Sequence, residues 1–331
     1  MEDKIQRLID KMTLEEKVSM IHGNGLFATA GIKRLNIPAL KMSDGPMGVR
    51  KDYYNDRWED LNNNDDFVTY FPCYTALAAS WNEDIAYEIG DALGAEARGR
   101  GKDVILAPGI NIIRTPLCGR NFEYMSEDPL LISKIAVPFI KGIQENDVAA
   151  CVKHFAVNNQ ETDRLAISVE VDDRALNEIY LPGFKAAVQE GDSFSIMGAY
   201  NKFRGTHCSH NDFLLNKVLK KNWEYPGVVI SDWGAVKELI PHGVAEDKKE
   251  AAEKAIKAGV DIEMMTACYV QHLEKLLKEG SINTVVTRRL CFVTINQLLL
   301  EDNMLTYEGT YPTVKSLLNR NYVHHVGPNE L

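Results

Sequence analysis

"AACVKHFAVNNQETDR", residues 149–164, decides how the rest of the chain is to be folded. Four small or apolar residues lead straight into Lys153 and His154, and two acids and an arginine follow by Arg164. The apolar run reads as a buried strand, so the charge gathered at its C-terminal end needs a reason. The same arrangement recurs along the chain. "PALKMSDGP" (38–46) ends in Ser43-Asp44, "SFSIMGAY" (193–200) in Tyr200 with Asn201 next, and "GVVISDWG" (227–234) in Ser231-Asp232-Trp233. "GVDIEMM" (259–265) carries Glu263, and "DVILAPG" (103–109) is a further strand.

Helical patterns separate these strands. "TLEE" (13–16) is a capping box opening an amphipathic helix. "NEDIAYEIGDALGAEARGRG" (82–101) offers Asn82 as cap and Ile85, Ile89 and Leu93 at helical spacing. "RALNEIYLPGFKAAVQEG" (174–191) sets Leu176, Ile179, Phe184 and Val188 on one face, with a kink expected at Pro182. Such alternation implies parallel strands in a doubly wound sheet or a closed barrel. The reactive strand ends favour the barrel, whose functional residues come from the C-terminal ends of several strands. A nucleotide-binding doubly wound fold would carry a glycine-rich first turn, and no G-x-G-x-x-G is present. "GRGKD" (99–103) fails as a phosphate loop because Asp103 stands where Ser or Thr is needed. The expected fold is therefore α/β, a (β/α)8 TIM-type barrel with room for irregularity.

Composition narrows the function classes. Among 331 residues, 37 Lys and Arg face 47 Asp and Glu, a net charge of −10 that disfavours nucleic acid and anionic membranes. No apolar run approaches the length of a membrane span, and the polar start is unlike a signal peptide, so a cytoplasmic location is expected. Six scattered cysteines without a CxxC pair read as reduced, mostly buried thiols. "HCSH" (207–210) has no second ligand cluster and reads as a loop with a half-buried Cys, so neither metal nor cofactor is expected.

The strand ends carry chemistry that fits a polyhydroxyl ligand. Asp232, beside an indole, suits a nucleophile at an anomeric carbon, with Trp233 stacking on a sugar face; a turn or helix cap is the bland alternative. Asp44 suits a clamp on vicinal hydroxyls, or equally an Asx turn before Gly45-Pro46. The loop "NIIRTPLCGRNFEYMSEDP" (111–129) packs Arg114, Arg120, Glu123, Glu127 and Asp128 into a long polar connection of the kind that is usually functional. Lys153, His154 and Arg164 would donate to hydroxyls from one rim, or merely form a buried network holding a loop.

These stretches, with "SIMGAYNKFRGTHCSHNDFLL" and "GVVISDWGAV", resemble the N-terminal barrel domain of glycoside hydrolase family 3, the β-glucosidase and β-xylosidase family. The likeness runs from about residue 6 to 265, with weaker echoes to about 303. Residues 1–303 are accordingly read as the barrel and 304–331 as a tail of unknown role. The resemblance implies a retaining β-glycosidase, β-glucosidase-like, acting through a covalent glycosyl-enzyme. It implies Asp232 as nucleophile and Asp44, Arg120, Lys153, His154, Arg164 and Tyr200 around the non-reducing-end sugar. Met197 and Trp233 match neighbouring wall positions.

The pattern breaks at the proton donor. Retention also needs a general acid about 5–5.5 Å from the nucleophile. In most of the family this is a Glu on a following α/β sandwich domain, for which the chain to Leu331 leaves no room. Single-domain members use an Asp–His pair in a "KHFPGHGDT"-like loop, which "KHFAVNNQETDR" does not reproduce. The expected partners are thus a small carbohydrate and a separate sandwich domain or oligomer partner. Glu123, Glu127, Glu161 and Glu263 are the in-chain candidates for the acid. Two other readings stay open: a catalytically silent sugar-binding barrel that needs a partner domain, and an unrelated aldolase-like barrel with Lys153 as Schiff-base amine.

Overall fold

The computed structural model describes residues 2–61 and 67–283. The tail, 304–331, the weaker echoes of the family past residue 283 and one of the six cysteines lie outside the described residues. Helices α1 (Glu2–Lys11) and α2 (Leu14–Met20) lead to β1 (Met42–Asp44). Then come α3 (Tyr74–Ala79), α4 (Glu83–Gly99), β2 (Val104–Leu106), α5 (Pro129–Gln144) and β3 (Ala149–Phe155). Next are β4 (Ser168–Val169), α6 (Asp173–Ala175), a π-helical stretch Leu176–Tyr180, α7 (Pro182–Gln189) and β5 (Ser195–Gly198). The short pair β6 (Lys202–Phe203) and β7 (Thr206–His207) precedes a second π-helical stretch, Phe213–Asn222. β8 (Val228–Ile230), α8 (Ala235–Glu238), α9 (Lys248–Ala258) and α10 (Cys268–Lys278) complete the described chain.

Five strands pair in parallel in the order β1-β2-β3-β5-β8. Isolated bridges carry the sheet round to its start: Ile230 to Ile262, Glu263 to His22, Gly23 to Thr29, and Ala28 to Lys41 beside β1. The last two are antiparallel, so the barrel is closed through an irregular seam. "GVDIEMM", expected as a strand, enters only through these bridges.

Period-2 alternation divides two cores. Met42, Val104, Leu106, Ala149, Cys151, Met197, Val228 and Ile230 fill the barrel interior, joined by Ile5 and Ile9 of α1 and by Met12 just after it. Their neighbours Ile105, Ala150, Val152, Ile196 and Val229 face outward onto the helices. Asp44, Lys153 and Asp232 continue the inward series, two residues beyond Met42, Cys151 and Ile230. The same rule that buries those apolar side chains therefore aims three charged ones at the mouth.

Two helix expectations need correction. Asn82 does cap α4, its Oδ1 accepting from the amides of Asp84 and Ile85 at 2.9 and 3.1 Å. The buried face, however, is Ala86, Gly90, Leu93, Gly94 and Ala97, while Ile85 is exposed. Small residues win because α4 lies backbone to backbone on α5: a Cβ on Gly90 would fall 2.2 Å from the Phe139 carbonyl. In the 174–191 segment Pro182 opens α7 behind the π-helical stretch, and the added residue turns Ile179 outward, leaving Leu176, Phe184 and Val188 buried. The five described cysteines are unpaired and four are buried, Cys208 fully rather than by half. Among the described residues no helix is long and apolar enough to cross a membrane.

Candidate active site

At the end of β1, Asp44 accepts from Lys153 Nζ at 3.1 Å, and Arg50 Nη1 lies 3.6 Å from its other oxygen. Gly45, with φ of 135°, makes the turn beneath, where any Cβ would strike the Gly48 carbonyl. Burial works against the Asp44 charge, but Lys153 and then Arg50 outweigh it and hold the carboxyl below its ordinary range. Burial likewise opposes the Lys153 charge, and Asp44 overcomes it, so the ammonium is held on.

His154 enters the mouth although it follows Lys153 directly. The register of β3 shifts between Val152 and Phe155, which breaks the alternation there. Asn111 pins the backbone on both sides, accepting from His154 N at 2.8 Å and donating to its carbonyl at 3.0 Å. Arg120 Nη2 donates to His154 Nε2 at 3.0 Å, so Nδ1 carries the hydrogen and faces the Tyr124 hydroxyl at 3.3 Å. Burial, Arg120, Lys153 and Arg164 all push the imidazole pKa down, and it stays neutral.

Asp232 sits 3.9 Å from His154 Nε2 through Oδ2. Its Oδ1 accepts from the Trp233 amide at 2.7 Å, whereas Oδ2 is buried without a hydrogen-bond partner. Burial raises its pKa to about 6 against the lowering by the Trp233 N–H, Arg120, Lys153 and Tyr200. The Trp233 ring is set by Nε1, which donates to the Leu26 carbonyl at 2.8 Å, and by Phe27, 5.2 Å away between centroids. Tyr200 donates its hydroxyl to the Trp233 carbonyl at 2.5 Å, and Arg164 lies over its ring at 4.9 Å. Met197 floors the site within the inner core.

All nine residues singled out from the sequence are thus tied into one mouth. Sequence reasoning missed Tyr124, Asn111 and Asn158, which orient His154 and Glu161; an Asn or Tyr inside a polar loop carries no pattern that separates it from a turn former. The 111–129 loop divides. Arg120 and Glu123 pair at the site, Arg114 and Glu127 are exposed, and Asp128 caps α5 through the Leu130 amide. Glu161 holds Arg164 at 2.8 Å and Asn158 at 3.2 Å. Glu263 is fully buried at the barrel seam, accepting from His22, Thr266 and Tyr269. Beside Asp44, a cavity of about 310 Å³ extends past Arg50, Phe27 and Tyr53 to Lys102.

An inward ring of carboxylates, cations and an indole at the C-terminal ends of parallel strands defines a (β/α)8-type barrel protein with its candidate site at the mouth. The description "Glycosyl hydrolase family 3 N terminal domain" matches residues 45–289, and the chain belongs to that family. It is 52% identical over 263 residues to β-glucosidase BoGH3A of Bacteroides ovatus, covering 80% of this chain and 34% of that protein. It is 40% identical to thermostable β-glucosidase B of Acetivibrio thermocellus, over 86% of this chain and 36% of that one. β-Glucosidase 3B of Thermotoga neapolitana, solved with glucose, superposes with a TM-score of 0.82 at 35% identity, covering 96% of this chain and 45% of its own. The chain therefore spans about a third of the length of the curated relatives it matches.

Proposed function

We propose that this barrel is the glycone-binding and nucleophile-bearing half of a retaining β-glucosidase. The reading rests on the bare Asp232 Oδ2, one buried carboxylate oxygen left without a partner while its twin is tied to a backbone amide. Lys153 and Arg120 offer donors around it and Asp44 an acceptor, a set suited to the hydroxyls of a sugar. Oδ2 attacks the anomeric carbon and forms a C1–O bond as the bond to the leaving oxygen breaks and its electron pair departs with the aglycone. Water then attacks C1, the carboxylate leaves, and two inversions give net retention. Trp233 meets the aglycone at the rim.

The proton for the leaving group has no evident source among the four glutamates. Glu123 neutralises Arg120, Glu161 neutralises Arg164, Glu263 is saturated with donors, and Glu127 stands in the exposed part of its loop. We assign the acid to a partner domain. General acid help is typically worth about 10²–10⁴-fold, so glycosides with acidic phenols should turn over while alkyl glycosides stall. Comparing dinitrophenyl and alkyl β-glucosides tests this: equal rates would mean that the described chain already holds its acid. Asp232→Ala should abolish both activities, and retained hydrolysis would remove the nucleophile assignment.

The engaged glutamates also support a second reading, a sugar-binding barrel silent until a partner arrives. Glucose binding by calorimetry without any phenol release would favour it.

A further inference from the structure

The cavity beside Asp44 has no part in the mechanism above. It holds about 310 Å³, room for a small ligand or for a substituent of one. One wall is the strap from Arg50 to Asn55, which is seated on the barrel seam. The Leu26 amide donates to the Asn55 carbonyl at 2.8 Å, and Asn55 Nδ2 donates to the Asn24 carbonyl at 2.9 Å. Gly25 makes that seat: at φ of 100°, a Cβ there would fall 2.2 Å from the Asn55 side chain.

Charge sets this space apart from the rest of the molecule. Among the described residues Lys41, Arg50, Lys51 and Lys102 line it against Asp44 and Asp52, in a chain of net charge −10. The two acids do not cancel that surplus, because each already lies between two cations. Asp44 has Lys153 at 3.1 Å and Arg50 at 3.6 Å, and Asp52 has Lys102 at 2.5 Å and Arg100 at 3.8 Å. Asp103, which acts on Lys41 from outside the cavity, is paired with Arg98 at 3.4 Å. Arg50 is the most constrained of the four. Its guanidinium lies over Tyr53 at 4.4 Å, Trp58 at 5.4 Å and Phe27 at 5.6 Å, and it donates one long hydrogen bond, 3.4 Å, to the Tyr53 hydroxyl. The rings fix its position and leave most of its donors for a ligand.

The cavity's place in the barrel relates that ligand to the sugar. Asp44 ends the first strand of the five-strand order and Asp232 follows the last, with Lys153 of the middle strand between them. A sugar whose C1 meets Asp232 turns its far hydroxyls to Asp44, and a substituent on one of them enters the cavity. We propose that this cavity is a subsite for an anionic group, a phosphate ester or a carboxylate, carried by the glycone at its end remote from the anomeric carbon. Arg50 and Lys102 are its main partners, and Lys41 and Lys51 add to their field. The orientation of the sugar rests on the reading of Asp232 as the residue that meets C1; the surplus of charge does not.

Calorimetry with glucose, glucose 6-phosphate and glucuronate, beside dinitrophenolate release from dinitrophenyl β-glucoside, tests this. At low salt one of the anionic sugars should bind roughly tenfold tighter than glucose or better, the scale of hydrogen bonds to a charged group. Which of them does so tells ester from carboxylate. Added salt should erase most of that advantage and leave glucose unmoved. Lys41→Met combined with Lys51→Met alters two exposed positions and should weaken the anionic sugar about fivefold, with glucose unchanged. Lys102→Met should weaken it further, by about tenfold. Anionic sugars that bind no tighter than glucose, or lysine variants that weaken all three sugars alike, would overturn the proposal. The two readings fail separately. Hydrolysis of dinitrophenyl glucoside without any anionic preference removes the subsite and leaves the glycosidase. An anionic preference lost in the lysine variants, without dinitrophenolate release, removes the glycosidase and leaves the subsite in a sugar-binding barrel.

Discussion

Asp232 illustrates how function opposes stability at a single residue. Burial raises its pKa to about 6, so the folded state binds this proton more tightly than the unfolded chain does. The resulting penalty is absent below the ordinary carboxyl pKa, grows through about 6, and is complete at neutral pH. Asp232→Asn should therefore raise the melting temperature by several degrees at pH 7–8, on the order of 3 kcal/mol before relaxation, and give no gain near pH 4. Thermal scans across pH check the sign. Under the proposed mechanism, activity on dinitrophenyl glucosides should fall as pH drops through about 6, because the ionised carboxylate is the attacking form. Lys153 is the opposite case, a buried ammonium whose charge is kept by Asp44. Lys153→Met removes the partner of a carboxylate and should weaken glucose binding at least tenfold, the loss of a charged hydrogen bond, as read by calorimetry.

At the scale of elements, the outer layer depends on close helix contact. A Cβ on Gly142 of α5 would fall 2.3 Å from the Tyr87 carbonyl of α4, and one on Gly90 of α4 is equally close to Phe139. Both obstacles are backbone, which cannot move aside as a side chain would. Gly142→Val should push the helices apart and cost about 2–4 kcal/mol, measured by urea unfolding, since overpacking and lost contacts add. Asn82→Ala, which only removes a cap, should cost about 1 kcal/mol in the same assay. This contrast explains why the buried face of α4 was misread. Hydrophobic periodicity rewards Ile85 and Ile89, whereas the neighbour at 2.2 Å selects glycine and alanine, and nothing in the local sequence announces that neighbour.

For the whole molecule the seam is decisive. Glu263 accepts from His22, Thr266 and Tyr269 across the gap where regular strands give way to bridges. Burial opposes its charge, but His22 and Thr266 outweigh it and hold the pKa down. Its contribution is therefore present above the ordinary carboxyl pKa and is lost as pH falls through the lower folded value. Glu263→Gln turns a donor toward donors and should cost about 1–3 kcal/mol at pH 7. The difference from the native chain should shrink below about pH 4 as the native carboxyl takes up its proton, which unfolding at several pH values would reveal.

Five of the six expected strands and the gathering of the strand-end residues Asp44, Lys153 and Asp232 were legible in the chain itself, while the sixth strand and the short β4, β6 and β7 were not. A period of two carries any residue two steps beyond a buried apolar one onto the same face. Family motifs extended that reading to Arg120, Arg164 and Tyr200. Tertiary structure alone decided which oxygen of Asp232 stays bare, how a register shift swings His154 into the mouth, and which glutamates are spent on neighbouring cations. Each of those outcomes depends on distances between segments up to about two hundred residues apart, such as Leu26 holding Trp233. A local pattern holds no information about such contacts until the barrel closes.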